Sequence, residues 1–345
     1  VIRTFLFDRV LAWYLARRLA LAAVMLFGLV CLTFVIANVA PSDPAALAAG
    51  PDAGRSQIEQ ARREYGLDRP LPEQFLRYVG DLARGEFGRS VATGRSVGRD
   101  LGRYFPATLE LCLVAMSIGL AVGIPLGMLS ALFKDRWLDH LTRIFAVSGI
   151  ALPPFWFGLL LQLGFATWLG LLPTSGRLGV ATEPPEPITG MLLLDSVLRG
   201  DAALFWESAG YIVLPALVLS LPCLASILRV NRSEMVECLR ADYITAARAH
   251  GTVPWRLVAV HALKNAMLPT LAIIGLRWGW MMSSTVLVET VFDWPGTGLY
   301  AVSSAIAGDF KPVMGVTLIV GLNFMLANLV VDLLYGVLDP RLRDA

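Results

Sequence analysis

The chain has 345 residues, 56% of them apolar and 16% charged, with a formal net charge of +2 and a mean hydropathy of +0.63. So much apolar surface exceeds what a soluble domain needs, and so small and dispersed a charge gives no nucleic-acid footprint. The composition predicts an all-α, polytopic membrane protein.

Six stretches are long enough to cross a bilayer core, which takes about 20 residues. They are Leu19–Val39, Thr108–Leu132, Ile144–Leu171, Tyr211–Leu228, Leu268–Val291 and Val313–Gly336. Ahead of them, residues 1–18 mix Phe5, Phe7, Leu11, Trp13 and Tyr14 with Arg3, Arg9 and Arg17, which reads as an interfacial helix. The first run is too long for a cleaved signal peptide, and no small-residue cleavage motif follows it before Pro41. Residues 19–107 then combine the first span with a long outer loop. That loop opens on PSDP at 41–44 and predicts a polar helix from about Ser56 to Tyr65, then another short helix within GLDRPLPEQFLRYVGDL. The stretch GRSVATGRSVGRD (88–100) reads as a solvated loop of balanced charge, with anion binding as the rival reading.

The core is expected over 108–340. Gly119, Gly123, Pro125 and Gly127 favour close packing and a bend in the second span. In the third, Leu152–Pro153–Pro154–Phe155–Trp156 marks either plain bending or a break that lines a route through the membrane. An odd number of spans would most readily arise here. Pro215 and Pro222 suggest kinks in the fourth. Between the fourth and fifth runs lies a polar loop, 229–267. A helix from about Arg232 to His250 would align Val236, Leu239, Tyr243, Ala246 and Ala247 on one stripe that tapers to alanines. Gly251 falls where a C-cap is wanted and Pro254 where a new helix can start. The pattern suits either a surface gripped by another protein or a hairpin packed on its own chain. After the fifth span, Trp294–Pro295–Gly296 makes a turn, and Gly298–Ile306 forms a small-residue helix that is either a gate or a packed surface element.

Arginine and lysine placement sets the orientation. Short loops on one side hold Lys134, Arg136, Arg143, Arg229, Arg232, Arg240, Arg248, Arg256 and Lys264, with Arg17, Arg18, Arg341 and Arg343 at the ends. The shorter loops opposite hold Arg177, Arg199 and Lys311. The positive-inside rule therefore puts both termini, including the tail 341–345, in the cytosol. The first outer loop, with ten arginines and nine acids over 68 residues, is too long to count.

Fuel and catalytic motifs are missing. The three lysines follow Phe133, Leu263 and Phe310, so the sequence holds no GK phosphate loop, and neither HExxH nor GxSxG occurs. Arg277 is the one charge well inside a span, whereas Glu110, Glu289 and Asp332 lie near span ends. Cys31, Cys112, Cys223 and Cys238 show no CxxC spacing and read as inert thiols rather than disulfides or metal ligands. No catalytic, cofactor or metal residue is expected. A conduit with neither fuel site nor ion-relay charges must take its free energy from a partner.

Together these residues resemble the permease subunit of bacterial binding-protein-dependent ABC importers, in the dipeptide, oligopeptide and nickel group. The resemblance rests on PSDP, GLDRPL, FPATLEL, LPPFWFG, ARAHG, HALKNAMLP, VLVETVFDWPGTG and the closing VVDLL…LDPRLR, and it covers nearly the whole chain. It implies a six-helix type I importer permease in the bacterial inner membrane that pairs with a second permease. Two ATPase subunits would carry ATP and Mg, and an extracytoplasmic binding protein would deliver cargo. In the family a Glu-Ala-Ala…Gly signature forms a coupling helix. Here Thr245, Ala246, Ala247 and Gly251 occupy it, with Tyr243 on the same stripe, and threonine replaces the glutamate. Dipeptides or short oligopeptides are the cargo implied. A nickel or metal chelate is the alternative, and a stand-alone transporter or channel lies further off. Arg277 either contacts a cargo carboxylate or snorkels. Glu289 and Asp293 either steady an outer gate, meet the binding protein, or are ordinary interfacial residues.

Overall fold

A computed structural model describes residues 9–39, 44–50, 53–64 and 66–338. Helix α1 spans Arg9–Val39. Three short helices follow, α2 (Pro44–Ala49), α3 (Arg55–Glu64) and α4 (Leu71–Ala83). Next come α5 (Val97–Leu132), α6 (Trp137–Ala151) and α7 (Pro154–Leu161), the last continued by a π-helical turn, Gln162–Trp168. Helix α8 is Leu192–Arg199, α9 is Ala202–Arg240 and α10 is Asp242–Ala249. Helix α11 (Pro254–Arg256) passes through the π turn Leu257–Ala262 into α12 (Leu263–Val291). Helices α13 (Thr297–Ile306) and α14 (Phe310–Leu338) complete the bundle. No strand forms among the described residues beyond an isolated bridge between Arg89 and Ser96.

Among the described residues five helices are long and apolar enough to cross a membrane, and the α6–α7 pair makes six if it counts as one crossing. That pair bends by 106° at Leu152–Pro153. Each residue there precedes a proline, which bars it from helical geometry, and both take extended ψ values of 126°. The expected third span is therefore a break, not a gentle bend. The fourth, expected over Tyr211–Leu228, extends to 39 residues and runs unbroken through Pro215 and Pro222.

The two expected loop helices appear as α3 and α4. The solvated reading of 88–100 holds for Gly88, Arg89, residues 92–95 and Arg99, which are exposed, and fails at three positions. Ser90, Val97 and Asp100 are buried, α5 starts at Val97 rather than near Thr108, and the Arg89–Ser96 bridge folds the turn onto the bundle. Residues 1–8 of the expected interfacial helix, 41–43 of PSDP and the tail 341–345 lie outside the described residues. From Arg9 the helix enters the first span with no boundary at residue 18.

Helix α9 is the hub, with 78% of its apolar window buried against 11% for α1 and 17% for α14. A core of Leu111, Met116, Leu219, Cys223, Met281 and Trp294 joins α5, α9 and the α12 end. The expected glycine stripe makes this possible. A Cβ on Gly123 would lie 3.1 Å from Leu224 O and 3.2 Å from Ile227 Cγ2, and one on Gly127 would lie 2.9 Å from Asn231 Oδ1. Small residues are what let two backbones approach in lipid, where no hydrophobic drive exists. Gly123→Val is expected to force α5 from α9 at about 1–3 kcal/mol, read as a lower unfolding midpoint in detergent.

Candidate functional site

One end of the bundle carries an elbow. The expected continuous helix Arg232–His250 instead breaks at Ala241, which is extended at φ −69°, ψ 150°. The break resets the helical phase. Tyr243, expected to share one stripe with Val236 and Leu239, parts from them: those two pack inward, whereas Tyr243 is 41% exposed and its hydroxyl accepts from Asn265 Nδ2 at 2.9 Å. Ile244 turns inward at 1% exposure, into a cluster with Met235 of α9, Ala131 of α5, and Ala262 and Ala266. Thr245, Ala246, Ala249 and His250 face outward, and Ala247 is half-buried. Gly251 closes α10 at φ +78°, its N–H donating to Arg248 O at 3.0 Å while Thr252 N–H reaches Ala247 O at 3.1 Å. That is a Schellman cap, and Pro254 restarts the chain as a helix, as the sequence implied.

A buried ionic clamp braces this elbow. Asp139 is wholly buried and accepts from Arg232 Nε at 2.5 Å and Nη2 at 2.7 Å, from Ser130 Oγ at 2.7 Å, and from the Asp135 N–H at 3.0 Å. The bidentate pair ties the start of α6 to α9 two turns before the break, and its satisfied lone pairs make the burial tolerable. Separately, Arg18 of α1 pairs with Asp332 of α14. Neither pairing had a sequence signal, since each charge read separately as one more loop or span-end residue.

At the opposite end the expected pair Glu289 and Asp293 separates. Asp293 is exposed in a left-handed turn at φ 47°. Glu289 is fully buried. Its Oε1 accepts from Thr108 Oγ1 at 2.6 Å and its Oε2 from the Leu299 N–H at 3.0 Å, so the carboxylate sits on the N-terminus of α13. Thr108 Oγ1 also accepts the Thr297 N–H at 2.8 Å, and Trp294 Nε1 donates to Ala107 O at 3.0 Å. A Cβ on Gly296 would overlap the Glu289 carboxyl, which explains the glycine there. Beside this lock, Arg177 pairs with Glu110 and lies 5.2 Å over the Trp294 ring, while the Leu193 N–H donates to Glu110 Oε1 at 2.6 Å. These contacts pin the Pro-rich loop across the bundle end.

Asp195 organises that loop by accepting from the N–H groups of Ile188, Thr189 and Gly190 at 3.1, 2.8 and 3.1 Å and from Thr189 Oγ1 at 2.6 Å. Burial pushes its carboxyl up, but these bonds outweigh it and leave it below its ordinary value. The native state thus holds this proton less readily than the unfolded one. The stabilisation is complete above the ordinary carboxylate range and is lost as pH falls through the lowered value. Proteolysis of the 173–200 segment should therefore accelerate at acid pH, and Asp195→Asn should flatten that dependence.

Arg277 sits midway along α12, half-buried, 5.8 Å over the Trp280 ring and without a hydrogen bond or ion pair among the described residues. Cys112 and Cys223 are buried, Cys31 and Cys238 half-buried, and all four are free thiols. Among the described residues no group of three or more His, Cys, Asp or Glu side chains is placed to hold a metal ion.

A bundle of membrane-length helices with a broken helix pair, a capped outward elbow at one end and an internally locked carboxylate at the other is the architecture of a membrane permease. The chain belongs to the family described as binding-protein-dependent transport system inner membrane component, whose pattern matches residues 123–344, with the family's N-terminal component matching 11–112. It is thus an inner-membrane permease component of an ABC importer. It is 45% identical over 331 residues to the probable D,D-dipeptide transport system permease protein DdpB of Escherichia coli K12, covering 96% of this chain and 97% of that one. It is 40% identical to the di/tripeptide transport system permease protein DppB of Pseudomonas aeruginosa, at 96% and 98% coverage. To the glutathione transport system permease protein GsiC of Escherichia coli O1:K1 it is 34% identical, again at 96% and 98%.

Proposed function

We propose that this chain forms half of a translocation path for dipeptides or short oligopeptides, paired with a second, similar permease. Two cytosolic ATP-binding cassette subunits, which hold ATP and Mg, drive it, and an extracytoplasmic binding protein supplies the cargo. The observation that carries this reading is the elbow. Helix α10 presents Thr245 and Ala246 outward, is capped rigidly at Gly251, and is anchored inward by Ile244 on α9 and the start of α12. A partner seated on α10 can thereby displace two long helices together. A preference of the ATPases for one seating shifts the inward-open to outward-open equilibrium through those differential contacts. The arginine-rich elbow end lies in the cytosol on this reading, and the Glu289 end faces outward. The substrates for which these relatives are named, D,D-dipeptides, di- and tripeptides and glutathione, support the cargo class.

Reconstitution tests it. Vesicles holding the four-subunit importer should accumulate a labelled dipeptide only with internal ATP and external binding protein. Uphill movement by this chain alone would overturn the reading.

Arg277 is the cation we assign to the path, where it meets a cargo carboxylate. Arg277→Leu should cut uptake while leaving the purified complex intact; unchanged uptake would remove the residue from the path.

A further inference from the structure

The backbone between α10 and α12 is not a continuous helix. After the Gly251 cap, Val253 is extended at φ −62°, ψ 144°, and α11 lasts three residues. Leu257–Ala262 is then a π turn, and the next N–H, that of Leu263, reaches back to Val258 O. A π turn carries one residue more than an α turn holds, and it recurs at functional positions. A push on α10 that travels along the backbone therefore meets a segment able to absorb it by shifting its ladder. One polar contact spans that segment. Asn265 Nδ2, in the first turn of α12, donates to the Tyr243 hydroxyl of α10 at 2.9 Å and to His261 O at 3.2 Å. A single amide thus grips α10 with one bond and the end of the π turn with the other, across 22 positions of chain. The Ile244 cluster beneath is apolar, and apolar contact is non-directional, whereas a hydrogen bond fixes an orientation.

We infer that Tyr243 and Asn265 are positioning residues, and that their hydrogen bond is a latch that bypasses the π turn and makes α12 follow α10. Helix α12 runs unbroken through Pro269 to Val291, so a displacement imposed on its first turn is carried to Arg277 about three turns on. The role in transport rests on the ATPases docking at α10, as proposed above; the mechanical tie does not.

Two measurements keep these apart. The first follows backbone amide exchange over 257–266 in the purified chain, with no partner present. Tyr243→Phe should speed it about threefold, the weight of one exposed neutral hydrogen bond. Asn265→Ala should also speed it, and the double variant should exchange no faster than Asn265→Ala alone, since both remove the same bond. Deleting Ala259, an exposed residue of the turn, leaves an α turn and should slow exchange again in Tyr243→Phe. The second measurement uses the assembled importer in vesicles. Asn265→Ala should keep hydrolysis responsive to loaded binding protein while moving about threefold less dipeptide per ATP. The Ala259 deletion should restore that yield, yet it should not rescue Ile244→Ala, where the loss is of apolar packing. Unchanged exchange in Tyr243→Phe, or further acceleration in the double variant, would refute the latch whatever the importer does. Loss of the ATPases from Asn265→Ala, or a normal yield per ATP despite faster exchange, would overturn its part in transport.

Discussion

Glu289→Ala is expected to lower the unfolding midpoint of the purified permease sharply and to open the α12–α13 turn to protease. The carboxylate is fully buried and serves the Leu299 N–H and the Thr108 hydroxyl at once. Truncation strips two buried donors of their acceptor and leaves a void, together worth about 3 kcal/mol or more. Glu289→Gln keeps the volume and one acceptor and should cost clearly less. Gly296→Ala places a methyl where the Glu289 carboxyl stands, so alone it should be as damaging as the truncation. Combined with Glu289→Ala, the added methyl meets space, and the two losses should be far from additive. A double variant showing the simple sum would mean that Glu289 and Gly296 are not in contact, and the lock would be refuted.

How much of this was legible in the sequence depends on the range of the interaction. Apolar run length and proline or glycine punctuation act within a few residues, so the spans, α3, α4, the break at Leu152–Pro153 and the Gly251 cap could all be anticipated. The glycine stripe of α5 was legible as close packing, although its partner, α9, was not. What escaped depended on contacts distant along the chain. Nothing local to Ala241 breaks a helix, and the phase reset that takes Tyr243 off the stripe of Val236 and Leu239 and buries Ile244 follows from packing against Met235, Ala262 and Ala266. Asp139 and Arg232 lie 93 positions apart, so their clamp had no periodic signature. Within 88–100, most of it exposed as expected, the burial of Ser90, Val97 and Asp100 escaped because Gly, Ser and Arg compose solvated loops and packed hairpins alike. Burial there is decided by Asp309 gripping Ser90 and by the Tyr300 hydroxyl donating to Asp100 at 3.1 Å. Glu289 and Asp293, four residues apart, looked equivalent until the left-handed turn sent one outward.

At the elbow, docking and anchoring occupy opposite faces of one short helix, so two substitutions separate them. Ala246 is exposed, hence Ala246→Arg should leave the isolated permease within about 0.5 kcal/mol of its normal stability. If α10 seats in a groove of an ATPase subunit, that same arginine cannot be accommodated. The ATPases should then be lost on purification, or their hydrolysis should cease to respond to loaded binding protein. Ile244→Ala does the reverse. The outward face is unchanged and the ATPases still bind. The anchor into α9 and the start of α12, however, loses about 2–4 kcal/mol, so hydrolysis should persist with little cargo moved per ATP. Asp139→Asn weakens the clamp that holds α9 against α6 and should shift coupling in the same direction as Ile244→Ala. Normal assembly and normally stimulated hydrolysis in Ala246→Arg would place the ATPase contact elsewhere on the chain. Intact coupling in Ile244→Ala would mean that α10 transmits motion through its flanking turns and not through its buried face.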